Sequence, residues 1–269
     1  MRDDLEILLT NDDGIDSPGL RALADALAAV ADVTVVAPAD DQSAVGRSLS
    51  HEVDVLEHDL GYAVAGTPAD CVVAGLGALA PDPDLVVSGC NRGANLGEYV
   101  LGRSGTISAA VEAAFFDVPA IATSMYVPAG DLAYTEVEVT LENYAHAVDA
   151  TTYLCTHALD AGVFEATDYL NLNAPIAPSA DATCPPLELT RPSKRYEMDA
   201  AREGERIHLR DRVWERMEPE TLPDPAGTDR RAVVEGRISL SALTAPHTTS
   251  HHDALERLVG EFPEPTLDA

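Results

Sequence analysis

The sequence predicts an α/β protein with a mostly parallel sheet. Short apolar runs alternate with helical patterns over about the first 175 residues, which is typical of successive βαβ units. The chain has 269 residues, enough for one large domain of this kind with an appended subdomain. After residue 175 the composition changes to Pro, Thr and Arg with short extended runs, which indicates β-hairpin arms instead of further βαβ units.

The strands are predicted from short apolar or β-branched runs that end at turn residues. In chain order these runs lie at residues 5–9, 32–38, 53–56, 62–65, 84–88, 119–123 and 169–173. The first two runs after residue 50 are short and close together, so residues 53–56 and 62–65 should form a hairpin. In the C-terminal part, residues 206–209 and 232–243 are predicted to be extended.

The helices are predicted from apolar residues three and four apart and from capping residues. They lie at residues 20–27, 67–79, 106–116, within 134–161, and at 250–261. The second of these begins with the sequence TPAD at residues 67–70, which combines an N-cap threonine, a proline at N1 and an acid at N3.

Two adjacent carboxylates, Asp12 and Asp13, follow the first strand and precede the first helix. Ligands of open α/β sheets bind outside the carboxyl ends of the strands, so this turn is a candidate site. Aspartate is also common as a turn residue and as a helix cap. The sequence leaves both interpretations open.

The chain is strongly acidic, with 46 acidic and 17 basic residues and a formal net charge of −29. The acids recur along the whole chain instead of forming one tail, which indicates an adaptation of the entire surface to high salt. At about 1 M salt the Debye length falls to roughly 3 Å, so self-repulsion is largely screened. We therefore expect a halophilic source, and we expect neither a nucleic acid duplex nor a membrane as a partner, because both attract basic patches.

Cysteine usage and hydropathy indicate a soluble, cytoplasmic protein. The four cysteines show no CxxC spacing and are too few for a disulfide framework in a chain of this length. No run approaches 18 consecutive apolar residues, and the N-terminus lacks the layout of a signal peptide.

Two further loops after predicted strands carry polar groups. Ser43 lies in the loop after the second strand, and Asn91 lies in a Gly- and Asn-rich segment at residues 88–106. That segment ends where Ser104-Gly105-Thr106 opens a helix, whose N–H groups can bind phosphate; a simple Ser or Thr cap is the alternative. Asp12, Asp13, Ser43 and Asn91 would offer only hard oxygen ligands, which suit Mg²⁺ or Mn²⁺.

Several motifs in this order resemble the SurE family of survival proteins. They are TNDDGIDSPG at residues 10–19, APADDQSAVGRSLS at 37–50, GTPADCV at 66–72, SGCNRGANLG at 88–97, SGTISAAVEAA at 104–114 and PAIATS at 119–124. Weaker matches, LNLNAP at residues 170–175 and TDRRAVVEGRISLSAL at 228–243, extend the resemblance over nearly the whole chain.

The resemblance implies a Rossmann-like three-layer sandwich and a metal-dependent phosphatase that converts nucleoside monophosphates to nucleoside and phosphate. It places one divalent cation per subunit on Asp12, Asp13, Ser43 and Asn91. The phosphate contacts implied by the resemblance are Asn95, Ser104, Gly105 and Thr106.

The same resemblance implies a division of the chain and an oligomer. Residues 1–175 are expected to form the catalytic core. Residues 176–269 are expected to form β-hairpin arms and a C-terminal helix that assemble a homodimer or homotetramer. The arms have little core of their own, so they need a surface to cover.

The sequence departs from the family pattern between residues 96 and 104, where EYVLGR intervenes and is one residue longer. Metal binding should survive this change. Arg103 there offers either a charge-assisted bond to phosphate or a solvent-facing salt bridge.

Two other functions remain as alternatives. A haloacid-dehalogenase-like phosphatase uses an aspartate nucleophile after the first strand, but its second acid lies two residues further on, whereas Asp12 and Asp13 are adjacent. A non-catalytic nucleotide-binding module would carry a GxGxxG turn, and NDDGID stands in that place.

The expected reaction is phosphomonoester hydrolysis in which Asp12 and Asp13 hold the cation and one of them positions or deprotonates the water.

Overall fold

The computed structural model describes residues 5–80, 82–128, 137–245 and 253. Within these residues one nine-stranded sheet has the order β3-β4-β2-β1-β5-β6-β7-β11-β8, and β9 and β10 form a separate antiparallel pair. All neighbouring strands from β4 to β7 are parallel. The observed architecture confirms the predicted α/β fold with a mostly parallel sheet.

The strands are β1 (Glu6–Thr10), β2 (Asp32–Pro38), β3 (Val55–His58), β4 (Gly61–Val64), β5 (Leu85–Arg92), β6 (Ala120–Tyr126), β7 (Tyr169–Pro175), β8 (Leu187–Thr190), β9 (Met198–Glu203), β10 (Arg206–Asp211) and β11 (Ile238–Leu243). The α-helices are α1 (Pro18–Leu27), α2 (Pro68–Ala74), α3 (Gly105–Phe115), α4 (Ala145–His157) and α5 (Asp229–Val234). A π-helical turn, Gly75–Leu79, continues α2.

Helices cover both faces of the sheet, so the fold has three layers. On one face the buried side chains of α1 and α4, including Leu20, Leu23 and Leu154, pack on Ile7 and Leu9 of β1 and its neighbours. On the opposite face α2 and α3 pack on alternate residues of the same strands. This alternation follows from the two-residue repeat of a strand.

The C-terminal part contributes to the main sheet as well as to the arms. β11 lies antiparallel beside β7 and parallel beside β8, so both strands extend the sheet formed by the first 175 residues. In the part of the chain that the structure describes, β9 and β10 alone form a hairpin outside this sheet. Among the described residues no helix is long and apolar enough to cross a membrane.

Two sequence predictions differ from the structure, and a third falls outside the residues that it describes. The segment 232–243 was expected to be extended throughout, but its first residues belong to α5 and only the rest form β11. Ala232 and Val233 are buried on that helix, because a short apolar run does not distinguish a strand from a buried helical turn. The helix expected within residues 134–161 is shorter, with a 3₁₀ turn before α4, and the terminal helix at 250–261 falls almost entirely outside the described residues.

Candidate cation and phosphate site

The predicted site residues lie at the carboxyl edge of the central strands. The turn with Asp12 and Asp13 follows β1, the loop with Ser43 follows β2, Asn91 lies at the end of β5, and α3 begins nearby with its N-terminus. Backbone bonds join these segments: Gln42 N donates to the Asp12 carbonyl oxygen at 2.7 Å, and Gly46 N donates to the Arg103 carbonyl oxygen at 3.1 Å.

The side chain of Asn11 shapes the turn after β1, and the side chains of Asp12 and Asp13 do not. The buried side-chain amide of Asn11 donates to the Gly14 carbonyl oxygen at 2.8 Å and to Ser17 Oγ at 2.7 Å. Ser17 is the N-cap of α1 and makes no side-chain capping bond. The carboxylates of Asp12 and Asp13 instead accept bonds from other elements, so the turn-shaping interpretation of these two residues is wrong.

Asp12 is almost completely buried, at 3% exposure, and is held by the first turn of α3. Thr106 Oγ1 donates to Asp12 Oδ1 at 2.7 Å. A Cβ on Gly105 would lie 2.7 Å from Asp12 Cβ and 2.8 Å from Asp12 Oδ2, so only glycine permits this close approach. Burial raises the pKa of Asp12 despite the opposing hydrogen bonds from Thr106.

Asp13 lies beside it and faces β5. Its Oδ2 accepts a bond from the Arg92 backbone N–H at 2.9 Å. Burial, and then repulsion from Asp12, raise the pKa of Asp13 to about 7. Two carboxylates buried together in this way disfavour their own charge, and a bound cation would remove that penalty.

The loop after β2 brings a third carboxylate that the sequence interpretation missed. Asp41 Oδ1 accepts bonds from Ser43 N at 2.7 Å and Ser43 Oγ at 2.6 Å, and its charge contributes to the raised pKa values of Asp12 and Asp13. Ser43 itself is exposed. The signal for Asp41 was present in the sequence DDQS, because an aspartate two residues before a serine commonly forms such a turn.

Asn91 presents its side-chain oxygen by using its nitrogen elsewhere. Its Nδ2 donates to the Gly93 carbonyl oxygen at 2.7 Å, which leaves Oδ1 as the acceptor. The neighbouring residue, Arg92, contacts Asp13 through its backbone N–H. The structure thus brings Asn91 to the same edge of the sheet as the two aspartates.

Four residues are predicted to contact phosphate and form the phosphate cradle: Asn95, Ser104, Gly105 and Thr106. They meet at the start of α3. Ser104 is the N-cap, and its Oγ accepts a bond from Ile107 N at 3.2 Å, so the capping role that the sequence left open is real. Asn95 is buried beside it, and its Nδ2 donates to Thr106 Oγ1 at 3.3 Å. The first N–H groups of a helix have no intrahelical acceptor. Here Ile107 N bonds to the Ser104 cap and the Thr106 backbone N–H bonds to Asp12, so Gly105 N is the group of this first turn that can still donate to an anion.

Arg103 contacts aromatic rings in the part of the chain that the structure describes, and no carboxylate there forms an ion pair with it. Its guanidinium lies 5.3 Å from the ring centroid of Tyr99 and 5.8 Å from that of Tyr196, and Nη2 donates to Tyr196 Oη at 3.3 Å. Among the described residues, Arg103 therefore makes cation–π contacts where a salt bridge was considered.

The donor set fits a hard divalent cation. Two carboxylates, a hydroxyl and an amide oxygen supply oxygen ligands only, as Mg²⁺ and Mn²⁺ prefer. Among the described residues no cluster of three or more His, Cys, Asp or Glu side chains is placed to hold a metal, so a site here depends on the neutral oxygens of Ser43 and Asn91 beside the two acids.

Fold and site together define an α/β protein with an oxygen-rich acidic site beside a helix N-terminus. The family model described as survival protein SurE matches residues 7–199. The chain belongs to this family.

Relatives and a solved structure agree with that membership. The chain is 63% identical to "5'-nucleotidase SurE" of Haloarcula marismortui, covering 97% of this chain and 96% of the relative, and 62% identical to the protein of that name from Natronomonas pharaonis, covering 96% and 100%. The crystal structure of the SurE protein from Aquifex aeolicus superposes with a TM-score of 0.76 at 31% identity, covering 91% of this chain and 95% of that chain.

These similarities decide two questions that the sequence left open. The relatives from halophilic archaea confirm the halophilic origin predicted from the charge. Family membership also decides against a haloacid-dehalogenase-like phosphatase and against a non-catalytic nucleotide-binding module.

Proposed function

We propose that this chain is a 5'-nucleotidase that hydrolyses nucleoside monophosphates with one bound Mg²⁺ or Mn²⁺ per subunit. Its relatives at about 60% identity over nearly the full chain carry the name of that activity. The structural observation that carries the proposal is the 2.7 Å bond from Thr106 Oγ1 to Asp12 Oδ1, because it joins the acidic pair to the helix end suited to phosphate.

Each residue has a role that follows from its surroundings. Asp12, Asp13, Ser43 and Asn91 would hold the cation, which would neutralise charge on the transferring phosphoryl group and orient the attacking water. Asn95, Ser104, Gly105 and Thr106 would bind phosphate at the N-terminus of α3, and Asn95 would also orient Thr106. One of the two aspartates would position the water or accept its proton.

A phosphate-release panel tests the activity. We expect release from nucleoside 5'-monophosphates at molar KCl with Mn²⁺ or Mg²⁺, and none above background in EDTA. Nucleoside 3'-monophosphates, polyphosphate and an aryl phosphate define the substrate range in the same assay. Release that persists in EDTA would contradict the metal dependence, and an acid-stable phosphate on the protein after quenching would indicate a covalent aspartyl mechanism instead.

We also propose a homodimer or homotetramer formed through the C-terminal arms. Ile207 and Leu209 on β10 are 62% and 71% exposed, and Trp214 is 40% exposed. Residues 191–237 contain eleven basic and eleven acidic residues, so the net charge of −29 lies entirely in the rest of the chain. A neutral, partly apolar surface lets copies of a highly charged protein approach without strong repulsion.

Light scattering at molar KCl tests the assembly. We expect a mass of about twice or four times the 28.4 kDa of one chain. We also propose a cytoplasmic location, which the four cysteines without CxxC spacing support. Replacement of Ile207 and Leu209 by Ser should shift the protein toward monomer, whereas Phe115→Ser, exposed on α3, serves as a control. A single-chain mass for the unmodified protein would refute the proposal.

A further inference from the structure

A stripe of polar side chains crosses β6, β7 and β11 on the face that packs against α3. Register partners share a face of a sheet, and Ser124 pairs with Asn173, which pairs with Ser239, while Asn171 pairs with Ser241. All five side chains have no exposed surface. Polar groups buried in this way carry a cost unless they make hydrogen bonds, so the stripe requires a partner.

The partner of the two asparagines is the backbone of Asn95. Asn173 Oδ1 accepts a bond from Asn95 N at 2.7 Å, and Asn173 Nδ2 donates to the Asn95 carbonyl oxygen at 3.1 Å. Asn171 Nδ2 donates to the same carbonyl oxygen at 3.0 Å. Two side chains of β7 therefore hold both backbone groups of one loop residue.

The side chain of Asn95 connects this loop to the aspartate pair through hydrogen bonds. Its Nδ2 donates to Ser124 Oγ at 2.9 Å and to Thr106 Oγ1 at 3.3 Å. An amide nitrogen only donates, so Thr106 Oγ1 accepts from Asn95 and directs its single proton to Asp12 Oδ1, 2.7 Å away. The orientation of Asp12 thus depends on where Asn95 is held.

We infer that Asn171 and Asn173 are positioning residues for the cation site, acting through Asn95 and Thr106 on Asp12. This inference rests on the proposed function. Neither asparagine contacts the aspartates directly. Residues that orient a metal ligand from outside its coordination shell typically change metal affinity or activity by about 10- to 100-fold when they are replaced.

Mn²⁺ affinity of the nucleotide-free protein, measured by calorimetry at molar KCl, tests the inference without relying on turnover. We expect Asn173→Leu to weaken Mn²⁺ binding by about 10-fold or more, because it removes both contacts to Asn95 at similar volume. Asn173→Asp keeps the acceptor for Asn95 N but loses the donor to its carbonyl oxygen, so it should also weaken binding.

Thr151→Val is the matched control. Thr151 Oγ1 lies 2.8 Å from Thr123 Oγ1, and both residues are fully buried. Thr123 precedes Ser124 on β6, so its side chain lies on the opposite face from the stripe. The control removes the buried hydrogen bond between β6 and α4 and the bond from Thr151 Oγ1 to the Ala147 carbonyl oxygen. It should lower the melting temperature while leaving Mn²⁺ affinity unchanged.

A double-mutant cycle separates positioning from general loss of structure. In an Asp12→Asn background, Asn173→Leu should add little further loss of Mn²⁺ affinity, because both changes act on the same ligand. If Asn173→Leu does not fold, Ser124→Ala, which removes only the 2.9 Å bond to Asn95 Nδ2, decides the question by a smaller loss in the same direction.

The possible failures are distinguishable. Wild-type affinity for Mn²⁺ in the folded Asn173 variants, or full additivity in the cycle, would overturn the inference and leave the proposed function standing. An unmodified protein that binds no Mn²⁺ and releases no phosphate would overturn the proposed function, and the inference with it.

Discussion

Thr106 donates its hydroxyl proton to Asp12 across 2.7 Å, although 94 residues separate them in the chain. The first residue belongs to the predicted phosphate cradle and the second to the predicted cation site. This one bond makes the two predicted sites a single site, because the helix end that suits a phosphate also fixes a carboxylate that suits the cation.

Asp12→Asn should lower turnover by roughly 100-fold or more, comparable to losing a principal electrostatic group at an active site. The shape is kept but one of two formal charges that would bind the cation is lost. Without metal, the melting temperature should stay the same or rise slightly, since repulsion between Asp12 and Asp13 is removed. Phosphate release and thermal unfolding, with and without Mn²⁺, measure both effects. Asp25→Asn is the control, because Asp25 lies on the exposed side of α1. Normal turnover of Asp12→Asn would contradict the cation-site hypothesis.

Gly105→Ala should reduce activity because the added Cβ would lie 2.7 Å from Asp12 Cβ. The backbone around Asp12 is fixed by β1, so the carboxylate would have to move. A Cβ at Gly102, in the turn just before α3, meets nothing within 4 Å, so Gly102→Ala is the matched control and should keep full activity. Phosphate release and Mn²⁺ affinity measure the difference. Equal activity of the two variants would show that Asp12 tolerates displacement.

The stability of the metal-free protein should depend on the ionisation of Asp13. Its pKa is raised to about 7 in the fold, compared with about 4 in an unfolded chain. An acid with a raised pKa stabilises the fold below its unfolded pKa, and that contribution is lost as the pH rises through the folded pKa. In EDTA the melting temperature should therefore fall more steeply from about pH 5 to about pH 8 for the unmodified protein than for Asp13→Asn.

Saturating Mn²⁺ provides the control for that measurement. The cation binds the ionised carboxylate, so it should flatten or reverse the steeper fall of the unmodified protein. Parallel melting curves of the two proteins in EDTA would mean that Asp13 titrates near its ordinary pKa in the fold.

Arg230→Met should destabilise the protein by about 3–5 kcal/mol, as expected when one partner of a buried ion pair is removed. Arg230 Nη1 lies 3.6 Å from Asp224 Oδ1, and both side chains are fully buried. Arg212→Met is the control, because Arg212 is 49% exposed and pairs with Asp199 and Glu215; it should cost about 1 kcal/mol or less. Chemical denaturation at fixed KCl measures both, and similar losses for the two variants would contradict the expected difference.

Activity and folding should weaken together as KCl is lowered below molar concentration. The net charge of −29 with a single lysine produces self-repulsion that only concentrated salt screens to a range of about 3 Å. Circular dichroism and phosphate release across a KCl series measure the effect. Full secondary structure and activity at about 50 mM KCl would show that the charge has no role in salt adaptation.

The sequence by itself determined the parallel sheet, the order of its main strands and helices, the acidic surface and the family. These features depend on local apolar periodicity, on caps such as Thr67, and on composition, all of which can be read within a short window of the chain. Segment 232–243 was assigned wrongly because an apolar run of that length suits either α5 or β11 until its packing partners are known.

Only the tertiary structure decided how the site is assembled. The burial of Asp12, its bond to Thr106 and the support of Asn95 by Asn171 and Asn173 join β1, the loop after β5, α3 and β7. The run at residues 169–173 predicted a strand, and only the structure shows that this strand is buried on both faces, asparagines included. Hydrogen-bond partners that lie 76 and 78 residues apart in the chain leave no periodic trace in the sequence, because the contact exists only after the sheet has formed.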